Sequence, residues 1–139
     1  MKTINEEILN EEETLISEEI LDLLIGFEYL LESQSGEKFD IKHKILHLVS
    51  KRDKTNPNYL VEVLNMARSN LAIICNNMIK DGLLEKHKEE NSKKEIFYVI
   101  TVKGKELIES KFANTEKVLS KLRNKNKIRK TAQELTKMF

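Results

Sequence analysis

Residues 60–104, LVEVLNMARSNLAIICNNMIKDGLLEKHKEENSKKEIFYVITVKG, decide the fold of this chain. They begin with a short helical segment, turn at Asn65 and continue into a longer amphipathic segment. Two strand-like segments separated by a polar loop follow, and the stretch ends on Thr101-Val102-Lys103-Gly104. This order predicts a mainly α-helical fold with one small β-hairpin, an α+β arrangement.

The longer helical segment, residues 67–81, has one apolar and one polar face. Leu71, Ile74, Cys75 and Met78 follow the i, i+3, i+4, i+7 spacing of a buried helix face. Gly82 then fits a C-terminal cap. We expect this helix to be packed on one side and to present the remaining residues outward: Arg68, Ser69, Asn70, Ala72, Ile73, Asn76, Asn77 and Lys80.

A lysine-rich hairpin follows the helix. Residues 83–88 and 94–101 are strand-like, and residues 89–93 form the loop between them. The hairpin carries four lysines that can lay ammonium groups along an anionic backbone: Lys86, Lys88, Lys93 and Lys94.

The N-terminal helix, residues 10–33, has an apolar arc wider than one stripe. Ile16, Ile20 and Phe27 repeat at the spacing of one helical face, and Leu21 and Ile25 widen it. Such a helix needs two surfaces to bury against. Its own domain supplies one, and a second subunit is the simplest source of the other.

Three more helices are predicted outside the central stretch, whose first helix begins shortly before residue 60. Asp40 caps a helix over about 41–52, and Pro57 suits the start of a short helix over about 58–64. Helical periodicity returns over residues 103–122. The basic run 123–127 interrupts it before a final helix, which begins around Ile128.

Charge is segregated along the chain, although the net charge is only +1. Residues 1–40 hold 2 Lys and 12 acidic residues, whereas residues 41–139 hold 22 Lys and Arg against 11 acidic residues. This asymmetry favours a nucleic acid or another anionic partner for the basic part. Two solvated faces that merely keep the protein soluble are the alternative.

Length and composition set further bounds. A chain of 139 residues is one domain's worth and can bury a core without disulfides or metal. The single cysteine, Cys75, excludes an intramolecular disulfide and fits a reducing cytosol. No apolar run is long enough to span a bilayer, and residues 1–7 lack the apolar core of a signal peptide. We therefore expect a cytoplasmic protein without a membrane partner.

The outward residues of the 67–81 helix suit the edges of base pairs. A helix of this length extends about 22 Å, enough to lie in a major groove. Asn76 and Asn77 can pair with adenine, Ala72 and Ile73 can contact thymine methyl groups, and Arg68 can reach guanine or a phosphate. Helix and hairpin together predict binding to double-stranded DNA.

The same stretch resembles the MarR family of winged helix-turn-helix regulators. Residues 60–71 follow that family's helix-turn-helix pattern without a gap, and Gly82-Leu83-Leu84 matches the end of its recognition helix. Thr101-Val102-Lys103-Gly104 matches the threonine–glycine signature after its wing.

The resemblance implies one domain over residues 1–139, with dimerisation helices at 10–33 and 103–139 and a DNA-binding core at 40–102. Within the core it implies a recognition helix at 67–81 and a wing at 83–101. It also implies a homodimeric transcriptional repressor that binds a specific DNA sequence and is released by a small-molecule effector. The residues that would bind the effector are not identified by the sequence.

Three positions depart from the family pattern. Asn65 replaces the usual turn glycine, and Ala67 replaces the usual capping serine at a cost of about 1 kcal/mol. Ser92 and Lys94 stand where the family has an aspartate and an arginine that brace the wing. We therefore expect a looser wing that contacts phosphate and discriminates bases poorly.

Cysteine and histidine leave two alternatives open. Cys75 lies on the apolar face of its helix, which favours a small buried hydrophobe over a redox sensor. His43 and His47 are four residues apart on what is predicted to be a polar face, so they could share a metal ion. Only His87 and scattered carboxylates are left to complete such a site, so no metal and no cofactor is expected.

Catalysis is not indicated by the sequence. The four glycines form no phosphate-binding loop, and no pattern of nucleophile and base stands out. The alternative to a DNA-binding regulator is a winged-helix module that binds another protein through its acidic N-terminal helix without binding specific DNA.

Overall fold

The computed structural model describes residues 11–36, 38–92 and 94–137, without the side chains of residues 11–15, 34 and 35. These residues form six helices and a two-stranded antiparallel sheet, which confirms the mainly helical fold with a hairpin. The elements in chain order are α1 Glu11–Ser35, α2 Ile41–Ser50, α3 Pro57–Leu64, α4 Arg68–Lys80, β1 Leu84–Lys88, β2 Ile96–Ile100, α5 Val102–Leu119 and α6 Lys125–Thr136.

The chain divides into two compact units between Lys38 and Phe39. The first unit contains α1, and residue 10 of the predicted helix lies outside the described residues. Large apolar side chains of α1 are between 41% and 72% exposed: Ile16, Ile20, Leu21, Leu23, Leu24, Ile25 and Tyr29. No helix in the described part of the chain is long and apolar enough to cross a membrane.

The second unit packs α2 to α5 and the hairpin around one apolar core. Ile45 and Val49 of α2, Leu60 of α3, and Leu71 and Met78 of α4 are almost completely buried in it. The order of the three helices and the hairpin brings these apolar faces together, and the polar face of α4 remains outside. Packing against the core therefore determines which face of α4 is exposed to solvent.

The helix ends are set by side-chain and backbone caps. Asp40 Oδ1 accepts a 3.0 Å hydrogen bond from His43 N, which confirms the predicted cap of α2. Asn65 adopts the left-handed conformation at φ 49°, and Met66 N donates to Val61 O at 3.2 Å. Gly82 does the same after α4 at φ 76°, with Leu83 N donating to Met78 O at 2.9 Å. Both α3 and α4 therefore end in Schellman motifs, one made with asparagine and one with glycine.

Several predicted boundaries differ from those observed by a few residues. The second strand, predicted over 94–101, covers Ile96–Ile100 only, because Thr101 leaves the sheet to cap α5 and its Oγ1 accepts a hydrogen bond from Gly104 N. The last helix begins at Lys125, inside the predicted break, since the interruption of helix lies earlier, after Leu119.

A single residue before α3 forms an isolated β-bridge to the hairpin. Thr55 N donates to Tyr98 O at 3.1 Å, and Tyr98 N donates to Thr55 O at 2.8 Å. Nothing in the sequence predicted this pairing. The pairing joins the segment before the helix-turn-helix to β2.

Candidate nucleic-acid interface

The outward face of α4 is the largest set of sequence-predicted contact residues that the structure brings together. Leu71, Cys75 and Met78 are buried, and Ile74 is half-buried against the core. The eight residues predicted to point outward are all exposed: Arg68, Ser69, Asn70, Ala72, Ile73, Asn76, Asn77 and Lys80. Ile73 is 60% exposed, a large apolar side chain amid amides and a lysine. The helix itself covers 68–80 rather than 67–81, and Ala67 caps it without a side-chain hydrogen bond, as predicted.

The first residue of α4 is tied to the preceding helix. Arg68 Nη1 donates a hydrogen bond of 2.6 Å to Asn58 Oδ1, at the second position of α3. Asn56 Oδ1 accepts from Asn58 N at 2.8 Å and thereby caps α3. Arg68 therefore holds one of its donors against the protein, while the others remain available to a partner. No pattern in the sequence predicted Asn58 as part of this surface.

The C-terminal end of α4 is fixed by the residues that follow the hairpin. Thr101 Oγ1 donates to Gly82 O at 2.6 Å, and Lys103 Nζ donates to Asp81 O at 2.8 Å. Gly104 lies so close to the Leu83 backbone that a Cβ atom would overlap the Leu83 carbonyl oxygen. These contacts give a physical reason for threonine and glycine in the predicted signature: they seat the start of α5 against the end of α4.

Cys75 and Tyr98 connect the buried side of α4 with the hairpin. Their side chains interact with each other, and both residues are buried. Burial raises the pKa of the Cys75 thiol to about 11 and that of the Tyr98 hydroxyl to about 12. A thiol that is inaccessible and protonated at neutral pH is a core residue rather than a reactive one.

The hairpin exposes three of the four predicted lysines. Lys86 and Lys88 pair with Tyr98 and Ile96 across the sheet, and lie on the hairpin face that packs against α4 through Tyr98. Both are exposed, as is Lys94 near the tip. Lys93 lies outside the described residues. The exposed lysines therefore lie on the hairpin, which follows α4 in the chain, and not on α4 itself.

The turn at the hairpin tip is organised by the side chain of Ser92. Ser92 Oγ accepts hydrogen bonds from Lys94 N at 3.4 Å and from Glu95 N at 3.3 Å. Below it, Glu89 N donates to Glu95 O at 3.0 Å and continues the ladder one step beyond the strands. The neutral Ser92 hydroxyl thus organises the backbone of the loop, but it offers no charge to pair with Lys94.

The outer face of the hairpin carries a stack of aromatic and charged groups. The rings of His87 and Phe97 stack with their centroids 5.5 Å apart, and His87 Nε2 lies 2.9 Å from Glu85 Oε2. On the same ring, Lys54 Nζ lies 4.7 Å from the Phe97 centroid and 3.5 Å from Glu89 Oε2. Lys54 comes from the loop before α3, and nothing in the sequence indicated its contact with the hairpin.

The two histidines of α2 do not lie on a polar face, which corrects the sequence prediction. Both are half-buried, because Phe39 and Phe112 cover this side of α2. His47 meets the Phe112 ring edge-on at 5.2 Å, and burial lowers the pKa of His47. Within the described residues, no group of three or more His, Cys, Asp or Glu side chains is placed to hold a metal ion.

A cleft of about 700 Å³ separates α2 from α3. Apolar side chains dominate its wall, and one lysine, one glutamate and His47 supply the polar groups; its lining is Lys44, His47, Leu48, Tyr59, Glu62, Val63 and Leu64. Its size falls within the usual range of small-molecule sites. It lies on the helix-turn-helix itself, since α3 forms one wall.

Comparison by sequence finds no relative, since no protein-family model and no curated protein sequence matches the chain. Comparison by structure does find similar folds. The crystal structure of MarR superposes with a TM-score of 0.65 at 14% identity, covering 87% of this chain and 88% of that one.

Two further solved structures show the same likeness. One is Sco3205, a MarR family transcriptional regulator from Streptomyces coelicolor in complex with DNA, with a TM-score of 0.63 at 16% identity over 94% of this chain and 86% of that one. The other is the transcriptional regulator Tm0710 from Thermotoga maritima, with a TM-score of 0.60 at 21% identity over 93% and 94% of the two chains.

Proposed function

We propose that this chain, which has the winged-helix fold of MarR-family regulators, is a sequence-specific DNA-binding transcriptional regulator and not an enzyme. The observation that carries the proposal is the amphipathic division of α4. Its apolar side is buried in the core, while eight residues with amide, hydroxyl, guanidinium, ammonium or apolar side chains are exposed on the other side.

The dimensions of α4 suit a major groove. Thirteen residues extend about 20 Å along the helix axis. Asn76 and Asn77 each offer a donor and an acceptor that match an adenine edge, and Ile73 and Ala72 offer apolar surface for thymine methyl groups. Lys80, in the last turn, offers a point charge to a phosphate.

The hairpin supplies contacts that do not depend on sequence. Lys86, Lys88 and Lys94 hold exposed ammonium groups that release counterions when they approach phosphates. Base specificity would then come from α4 and most of the salt dependence from the hairpin and the helix ends. Lys93, whose placement is not described, is assigned the same role by its sequence position.

We infer that the regulator is a homodimer in which a second copy covers α1. The apolar side chains of α1 are too exposed and too close together for a free surface. The helix holds eight acidic and no basic residues, whereas residues 117–130 hold seven basic and no acidic residues. The two segments are complementary in charge, so the same chain carries a partner surface for its own N-terminal helix.

We also propose that the regulator is a repressor and that a small-molecule effector releases it from DNA. A repressor is what the family resemblance implies. The cleft between α2 and α3 is the candidate effector site, because a ligand wedged there would move α3 relative to α2, and with it α4. The change in DNA affinity that such a ligand can cause is limited by the difference between its own affinities for the two arrangements of α2 and α3.

The deciding experiment is selection of bound genomic fragments with purified protein, followed by titration of the selected and a random duplex at several salt concentrations. We expect a steep salt dependence for both duplexes and a preference of at least about a thousandfold for the selected one. Sedimentation of the free protein should give a dimer. A weak interaction that is equal for all duplexes would favour the protein-binding module instead.

A further inference from the structure

We propose that Lys54 is a positioning residue for the hairpin: its ammonium group, held between Glu89 and the Phe97 ring, fixes the wing against the segment before α3. The structural part of this proposal concerns the free protein. The consequence for nucleic acid rests on the proposed function.

One side chain of the loop before α3 contacts both arms of the hairpin. Lys54 Nζ lies 3.5 Å from a carboxylate oxygen of Glu89, the residue after β1. The same atom lies 4.7 Å from the centre of Phe97, which belongs to β2. An ammonium over an aromatic face and beside a carboxylate is attracted by both partners.

The backbone beside Lys54 is already bound to the sheet. Thr55 exchanges two hydrogen bonds with Tyr98, the neighbour of Phe97 in β2. The middle of β2 is therefore anchored by the main chain, and Lys54 extends that anchorage to Glu89, where the loop begins. The other contacts that hold the tip, among the residues that the structure describes, are the hairpin's own ladder and the Ser92 turn.

This contact compensates for the brace that the sequence lacks. Ser92 and Lys94 occupy the positions of the aspartate and arginine in the family pattern, and the sequence therefore predicted a looser wing. In this chain the pairing of a cation with a carboxylate is made instead between Lys54 and Glu89, from outside the hairpin. Because the Lys54 ammonium group contacts Glu89 and Phe97, we do not assign it a contact with DNA phosphates.

The expected effect is modest because the pair is partly solvated. The side chain of Lys54 is 58% exposed and that of Glu89 is 35% exposed. An exposed ion pair combined with an exposed cation–π contact predicts a change of about three- to tenfold in a local opening equilibrium. Global stability should hardly change.

Amide hydrogen exchange of the full-length protein without DNA tests the brace. In Lys54→Met, which keeps most of the aliphatic stem, the Glu89 amide should exchange about three- to tenfold faster. Lys54→Arg should restore slow exchange, and Glu89→Gln should reproduce the loss from the other side. Lys51→Met, which removes an exposed lysine from the same loop, is the matched control.

Unchanged exchange in Lys54→Met, or equal acceleration in Lys51→Met, would overturn the proposal. Failure of Lys54→Arg to rescue would also overturn it, because arginine retains both interactions. None of these outcomes depends on whether the protein binds DNA.

A double-mutant cycle with Lys88 tests the link to function. Lys88→Ala should weaken binding to a random duplex strongly in the native chain and less in Lys54→Met, since a displaced hairpin has already lost the contact. Additive effects would show that Lys54 is merely another phosphate contact and would contradict the positioning role. A native chain that binds no duplex would refute the proposed function and leave the exchange experiment to decide on the brace.

Discussion

Arg68 and Asn58 are joined by a 2.6 Å hydrogen bond between Nη1 and Oδ1, which links the first turn of α4 to the first turn of α3. A free arginine side chain would lose its rotamer freedom only on meeting DNA. Here part of that ordering occurs in the free protein, so the guanidinium is directed before binding.

Replacing Asn58 with Ala should therefore weaken binding of the selected duplex although Asn58 itself need not touch it. We expect a loss of about 1 kcal/mol, the usual size of one hydrogen bond that orients a charged group. In a cycle with Arg68→Ala, the double variant should lose less than the sum of the single variants, as measured by titration at fixed salt. Additive losses would mean that the bond has no part in directing Arg68.

Asn76 and Lys80 should have different effects on specificity. Asn76→Ala should reduce the difference in binding free energy between the selected and a random duplex by about 1 to 3 kcal/mol, because it would remove the bidentate base contact proposed for Asn76. Lys80→Ala should weaken binding to both duplexes equally. It should also reduce the slope of log K against log salt concentration by about 1, the value for one phosphate contact. Identical profiles for the two variants would contradict these roles.

Thr55 and Thr101 should respond in opposite ways to replacement by valine. The Thr55 hydroxyl is buried and has no hydrogen-bond partner among the described residues, so Thr55→Val should raise the free energy of unfolding by about 1 kcal/mol. The Thr101 hydroxyl donates to Gly82 O and accepts from Gly104 N, so Thr101→Val should lower it by about 1 to 2 kcal/mol. Urea unfolding of both variants measures the change in the free energy of unfolding. Changes of the same sign in the two variants would refute the different roles given to the two hydroxyl groups.

Gly104→Ala should destabilise the protein by about 1 to 3 kcal/mol or more, because its Cβ would overlap the Leu83 carbonyl oxygen. Gly26→Ala is the matched control. Gly26 lies inside α1 with nothing within 4 Å of an added Cβ, so this change should stabilise by about 0.5 to 1 kcal/mol. If thermal unfolding shows both changes to be harmless, the close approach at Gly104 is not a constraint.

Stability should fall in alkaline solution because of Cys75 and Tyr98. Burial raises the pKa of Cys75 from 9.0 to about 11 and that of Tyr98 from 10.0 to about 12. The unfolded chain therefore releases these protons first, and the free energy of unfolding should decrease as pH rises above about 9 and continue to decrease toward 12. Cys75→Ala should flatten the lower part of this decline in urea titrations between pH 8 and pH 11; an unchanged slope would argue against the raised thiol pKa.

The positions of most elements followed from local chemistry. Apolar spacing at Leu71, Cys75 and Met78 predicted which side of α4 is buried, because only one helical register puts all three on one face. Asp40, Asn65 and Gly82 predicted the ends of helices, since the side chain or the backbone freedom of each is needed at such positions. The outward residues of α4 followed from the same register.

Contacts between distant segments could not be predicted in this way. Nothing in the local sequence distinguishes the roles of Thr55 and Thr101. The Thr55 hydroxyl is buried without a hydrogen-bond partner among the described residues, whereas the Thr101 hydroxyl links the end of α4 to the start of α5. Likewise His43 and His47 were placed on a polar face, because the sequence of α2 does not show that Phe112, some 65 residues later, covers them.

Local sequence was enough to predict the helices, the buried face of α4 and the hairpin, because these depend on spacings of a few residues and on the conformations that single residues allow. The hydrogen bond from Arg68 to Asn58, the contact of Lys54 with the hairpin and the need for glycine at position 104 beside Leu83 became visible only in the folded chain. Each of these depends on where two separate segments come to lie, and packing of the whole core sets that distance.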